Sequence, residues 1–195
     1  MTFYSLALFA HIVGVLGLFI AIGLVWISML WLQRAQTMAQ VRERIGLASL
    51  QERLFPAASV LILLAGIYMT VNTWGWKMPW IDVSLAALVV MGALGGAVIN
   101  RRLKAIRIAS STAEAPAGSI PAELKRQITD SVLWTAVQTN GFTGLGVVFL
   151  MTTKPDLVGS LITLVVSLVL GVVSAQLWHP REATVLMKGA KLSGR

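Results

Sequence analysis

Few side chains in this cysteine-free chain of 195 residues could act on a substrate or hold a metal. Its two histidines are His11 and His179. His11 sits inside an uncharged stretch that begins at Phe3. A neutral imidazole there has two uses. It can hydrogen-bond to a neighbouring helix, or it can offer its second nitrogen to copper or to the iron of haem b. Helical rise puts His11 roughly 10 Å below one surface of a bilayer. His179 follows the last apolar stretch, most of a bilayer thickness away, so the two histidines cannot share one haem. At a depth closer to that of His11, Met69 is the candidate second ligand, followed by Met91.

A second group of polar residues is spaced for one helix face. Thr135, Gln138, Thr139 and Thr143 fall within about 140° of helical arc, with Asn140 outside it. Such a stripe can line a cavity or water path, or it can bind adjacent helices through hydrogen bonds. Asp82, Asp130 and Asp156 stand at expected helix starts, where a carboxylate caps. No carboxylate pair, Ser/His/Asp set, phosphate loop, HExxH or metal-spaced histidine cluster occurs. The missing cysteine excludes disulfides and thiolate chemistry. Ion-coupled transport would want a buried acid, and the chain is short for a transporter built from repeats. We therefore assign no catalytic residue and expect no enzyme acting alone.

Helices in a bilayer must position these groups. Hydrophobic residues make up 56% of the chain and charged residues 12%, with mean hydropathy +0.78. A soluble domain carries about 25% charged residues, so an ordinary soluble enzyme and a disordered chain are both excluded. Five stretches are long and apolar enough to span: residues 3–32, 55–72, 81–100, 131–153 and 157–178. The first is too long for a cleaved signal and has no basic residue before it. With five spans, every Lys and Arg except Lys77 and Lys154 falls on one side. The positive-inside rule then puts the N-terminus outside and the C-terminus in the cytoplasm. Tryptophans agree with this arrangement. Trp74, Trp76 and Trp80 cluster in the outer turn, Trp31, Trp134 and Trp178 lie at inner ends, and Trp26 is slightly deeper. The net charge of +8 is thus an inner-face band facing anionic lipid, not a nucleic-acid surface.

The sequence reads as an all-α, polytopic bundle forming a single transmembrane domain, with a cytoplasmic loop at 101–130 and a cytoplasmic tail at 180–195. Within this frame, residues 34–54 extend the first span or lie on the inner surface. Residues 109–119 form a linker, and 121–129 a short helix leading into the fourth span. Close helix packing is expected at Gly14 and Gly17 and at the GxxxG pair Gly92 and Gly96. That packing can be internal or can receive another membrane subunit.

The stretches LALFAHIVGVLGLF, FPAASVLILLAGIYM and FLMTTKPDLVGSLI resemble a bacterial family of predicted integral membrane proteins, domain of unknown function 2269. The likeness covers about residues 6–177. More distantly, a histidine early in the first helix is similar to the copper-resistance D-type membrane proteins, which implies a haem or copper role for His11. After His11 the chain reads IVGVLGLFIAIGLVW, without the tryptophan and Tyr-Leu-Pro-Arg pattern of four-helix protoporphyrinogen oxidases. The reading that results is a multi-pass bacterial inner-membrane protein, an accessory or packing component of a membrane assembly. The alternative is a haem- or copper-binding redox protein using His11.

Overall fold

The computed structural model describes residues 2–112 and 119–177, and every regular element among them is helical. Trp178, His179, the tail 180–195 and residues 113–118 of the linker lie outside the described residues.

Helix α1 (Phe3–Gln33) starts where the Thr2 side chain accepts a hydrogen bond from the Ser5 amide. It ends in a turn in which Arg34 N–H bonds back to Trp31 and Leu32. Thr37 then caps α2 (Met38–Ser49), which runs almost directly into α3 (Gln51–Met69). Residues 34–54 therefore lead into the second membrane helix through a charged helix of their own rather than extending the first, because Thr37 gives the chain a fresh helix start. As a result Pro56 lies inside α3 instead of in its first turn. A five-residue π-helical stretch, Thr70–Trp74, closes α3.

Pro79 opens α4 (Pro79–Ala93), a position where its missing N–H costs no hydrogen bond. A π-helical stretch, Leu94–Asn100, carries α4 without a break into α5 (Arg101–Thr112). Helix thus occupies the first part of the segment expected as loop, since no glycine or proline interrupts it before Thr112. Helix α6 (Ala122–Ile128) follows Pro121. Asp130 caps α7 (Ser131–Thr153) by accepting from Val132 N–H at 2.8 Å. The chain turns at Lys154, in the left-handed region at φ 49°, and enters α8 (Leu157–Leu177).

The main pairings are α1 with α3 and α7 with α8, joined by contacts of α7 with α1 and α4. Polarity is inverted relative to a soluble protein. Ser28, Thr143 and Ser160 are buried, while Leu64, Val89, Val165 and Leu177 face outward. Such a surface calls for lipid. Among the described residues, four helices are both long and apolar enough to cross a membrane: Phe3–Gln33, Met38–Trp74, Pro79–Thr112 and Leu157–Leu177. Helix α7 has the length, at 23 residues, but its polar stripe makes it less apolar than the other four.

The bundle has two apolar clusters. One, around Leu18, Phe55, Ile62 and Met91, lies between α1, α3 and α4. The other gathers Val41, Ile45, Leu103, Ile106, Leu124 and Ile128 around the ends of α1 and α7. The second cluster is covered by charge. Arg102 pairs with Asp130, Arg107 reaches Glu52 at 3.1 Å, and Arg42 donates to Ser110 O at 2.8 Å.

Candidate functional site

Glycine sets how closely α1 and α3 approach. A Cβ at Gly14 would stand 2.8 Å from Ile62 Cγ1 and 3.2 Å from Ala58 O, while one at Gly17 would meet only Ala58 Cβ at 3.3 Å. On the facing helix, Gly66 leaves room for the imidazole of His11, whose Nδ1 and Cε1 would lie 3.5 Å from a Cβ placed there. The close approach lets His11 Nδ1 donate to Ile62 O at 3.1 Å. A carbonyl only accepts, so the proton sits on Nδ1 and the lone pair on Nε2.

His11 lines a cavity of about 380 Å³ bounded by α1, α3, α4 and α7 at the tryptophan-rich end and partly open to the surroundings, with Ile12, Leu16 and Trp76 of its lining exposed. That volume falls within the size range of small-molecule sites. The walls are leucine, isoleucine, valine, methionine and aromatic side chains, and no charged residue lines them. Thr70, Ser84 and Thr152 are among the few polar residues on the wall. Each hydroxyl donates to a carbonyl one turn back on its own helix, at 2.9, 2.6 and 3.0 Å. Met69 and Met91 line the same cavity, so the structure brings both thioethers to the space beside His11.

Two turns meet over this space. Trp74 and Trp80 stack edge to face with ring centroids 5.9 Å apart. Lys154, from the turn between α7 and α8, places Nζ 3.9 Å above the Trp74 ring. Gly75 at φ 76° permits the sharp exit from the π-helical turn that carries Trp74.

The stripe on α7 divides. Gln138 accepts from Trp26 Nε1 of α1 and donates to Ser174 Oγ of α8 at 3.1 Å, tying three helices. Thr139 packs where Gly171 of α8 leaves its backbone bare, and Thr143 donates to Thr139 O at 2.7 Å. Thr135 is half-buried. The void beside Asn140 holds only about 10 Å³, shared with Gln51, which is room for about one water and not a path. Gly92 and Gly96 face outward, and a Cβ at either would meet nothing within 4 Å. It is Gly95 that turns inward, toward Phe55. Asp82 is exposed, and Asp156 accepts from Gly159 N–H at 2.8 Å. Among the described residues no three His, Cys, Asp or Glu side chains gather as a metal site.

Sequence reasoning missed Gly66, which has no spacing signature, and the Lys154–Trp74 contact, which joins two turns remote in sequence. Trp26 carried a signal: an indole deeper than the interface needs an acceptor for its N–H.

No curated protein and no solved structure matches the chain. The family model described as "Predicted integral membrane protein (DUF2269)" matches residues 5–155, which include His11, the tryptophan turn and the polar stripe of α7. The chain therefore belongs to this family of integral membrane proteins.

Proposed function

We propose that this protein is a non-catalytic component of a bacterial inner membrane that works by holding a small apolar molecule in the cavity beside His11. The observation that carries this reading is the cavity itself: about 380 Å³, uncharged, and faced by one imidazole with a free lone pair. Apolar walls with a few placed polar groups are what ligand sites present. Purification of the intact chain in mild detergent, followed by extraction and mass spectrometry, should recover an apolar molecule at about one per chain. Recovery of none, with no thermal stabilisation by added membrane lipids, refutes the reading.

The same reading places five crossings in the membrane, with the N-terminus outside and the C-terminus in the cytoplasm. Its support is that α7 is uncharged, 23 residues long and packed along α8. Four spans would leave that helix stranded beside its partners. Because the chain has no cysteine, Lys154→Cys and Ser119→Cys can each be probed with an impermeant maleimide. Labelling of Lys154→Cys from outside and of Ser119→Cys only after lysis is expected; the reverse pattern overturns the orientation. Membership of a larger assembly is supported by the outward-facing Gly92 and Gly96, and co-purification of further membrane chains tests it.

A second reading keeps the cavity and puts haem b or copper at His11. It is favoured by Met69 and Met91 lining the same space, since imidazole and thioether suit haem iron or cuprous copper. A Soret band or bound copper that His11→Ala abolishes supports it, and a spectrum and metal analysis showing neither ends it.

A further inference from the structure

We infer that the cavity selects a neutral, largely apolar molecule bearing a hydroxyl, which donates its proton to His11 Nε2; this rests on the ligand-binding reading above. His11 Nδ1 donates to Ile62 O at 3.1 Å. Thr70 donates to Gly66 O at 2.9 Å, Ser84 to Trp80 O at 2.6 Å and Thr152 to Val148 O at 3.0 Å. Every one of these groups has its hydrogen engaged by a backbone carbonyl, so each presents the cavity with lone pairs alone. The indoles of Trp74, Trp76 and Trp80 also line the cavity, Trp80 from the buried start of α4, so N–H donors are available at the tryptophan-rich end and the shortage of donors is local to His11 and the three hydroxyls. A ligand carbonyl or ether reaching His11 would bring an acceptor to an acceptor, whereas a hydroxyl supplies the missing donor.

The orientation of the ring agrees. Its Nδ1–Cε1 edge lies against Gly66 of α3, which leaves the Nε2 edge turned from that helix. No hydrogen bond from the protein reaches Nε2 among the described residues. Charge narrows the class further. No Lys, Arg, Asp or Glu lines the cavity, and Lys154 sits over Trp74 at its tryptophan-rich end, so a carboxylate or phosphate placed beside His11 would be desolvated without a cation there. The chemistry that remains is an alcohol or phenol on an apolar body.

The test uses the intact protein in nanodiscs with three probes: para-octylphenol, its methyl ether, and an alkanol of matching length. Binding is read from tryptophan fluorescence, since three indoles line the cavity. The phenol should bind about 10-fold tighter than the ether, the effect of one buried hydrogen bond made or left unmade. His11→Phe keeps an aromatic ring and removes the unpaired acceptor, so the ether should bind it as well as or better than the wild type while the phenol's advantage falls to about 2-fold or less, within the scatter of such contributions. Ether affinity no weaker than that of the wild type also shows that the variant has kept its cavity. Equal binding of phenol and ether to the wild type overturns the inference, as does an undiminished preference in His11→Phe. The wild-type comparison keeps the hydroxyl preference falsifiable even if the variant fails to fold, and the variant assigns that preference to His11. Binding of neither probe overturns the ligand-binding reading as well. If the alkanol matches the phenol, the natural ligand class is an aliphatic alcohol; if it trails, an aromatic one. Either ranking above the ether supports the inference.

Discussion

Replacing Gly14 with alanine should weaken the bundle and loosen the His11 site together. The new Cβ would stand 2.8 Å from Ile62 Cγ1, 3.1 Å from Ile62 N and 3.2 Å from Ala58 O. Carbon atoms rest at about 3.5–4.0 Å, so α3 must retreat by roughly 0.7 Å or more at this point. Two of the three contacts are backbone, which a side-chain rotation cannot relieve. The Ile62 carbonyl moves with its helix, and the bond from His11, now 3.1 Å, would lengthen to about 3.8 Å, beyond hydrogen-bonding range. Overpacking of this kind costs about 1–3 kcal/mol, and an interhelical hydrogen bond in a membrane adds about 0.6 kcal/mol. Denaturation of the reconstituted protein should therefore show a loss of about 2 kcal/mol. Nitrogen NMR of His11 should show the Nδ1-protonated tautomer giving way to a mixture. Two controls grade the effect. Gly17→Ala meets one methyl at 3.3 Å and should cost less, and Gly23→Ala meets nothing within 4 Å and should cost nothing. If Gly14→Ala is as stable as the wild type, or if Gly23→Ala is equally damaging, the glycine seam does not set the helix spacing.

Other perturbations address other parts of the molecule. Trp26→Phe and Gln138→Leu, each alone and then combined, should give a coupling energy of about 0.6–1.7 kcal/mol in a double-mutant cycle, and zero coupling would refute a bond between them. Lys154→Met should shift tryptophan emission and cost about 0.5–1 kcal/mol, the worth of an exposed cation–π contact; an unchanged spectrum counts against the contact. At the charged end, the Arg126 hydrogen bond, aided by Gln127, holds the Glu123 carboxyl below its ordinary value. A carboxyl depressed in the folded state adds stability above its unfolded pKa and loses it as pH falls through the folded one. NMR titration of Glu123 should thus give a midpoint below that of a free glutamate, and Arg126→Ala should raise it.

Local signals in the sequence were enough to place most helices. Asp130, Pro121 and the Lys154–Pro155–Asp156 turn fix where α6, α7 and α8 begin and end, because capping and proline effects act within one turn. The reach of α5 was harder to see, since residues 101–112 are polar enough to pass for loop and become helical by continuing α4 and packing Leu103 and Ile106 inward. The orientation of the small residues at the end of α4 was not legible, unlike that of Gly14 and Gly17 on α1. Gly92 and Gly95 are three apart, yet the intervening turn and the π-helical stretch send one outward and the other toward Phe55. At the candidate site His11 was visible as a lone ionisable group at depth, and Met69 by its depth. The carbonyl partner Ile62 O and the clearance at Gly66 depend on which α3 face meets α1, which no local pattern specifies.

The two apolar clusters also imply that the molecule obeys two kinds of thermodynamics at once. The part of the second cluster at the charged end, with Val41, Ile45, Leu103, Ile106, Leu124 and Ile128, is buried beneath arginines and carboxylates that water must solvate, while the rest of that cluster, including Val25, Met29, Val137 and Ala175, runs into the spanning helices. Its cohesion is hydrophobic, and fades on cooling. The cluster around Leu18, Phe55 and Met91 sits among lipid-facing helices, where the surroundings are as apolar as the core and cohesion comes from close packing. Chilling should therefore loosen α2, α5 and α6 before it disturbs the glycine seam of α1 and α3. The end bearing the basic residues would behave as a small water-solvated domain fused to a membrane bundle, with its own heat capacity.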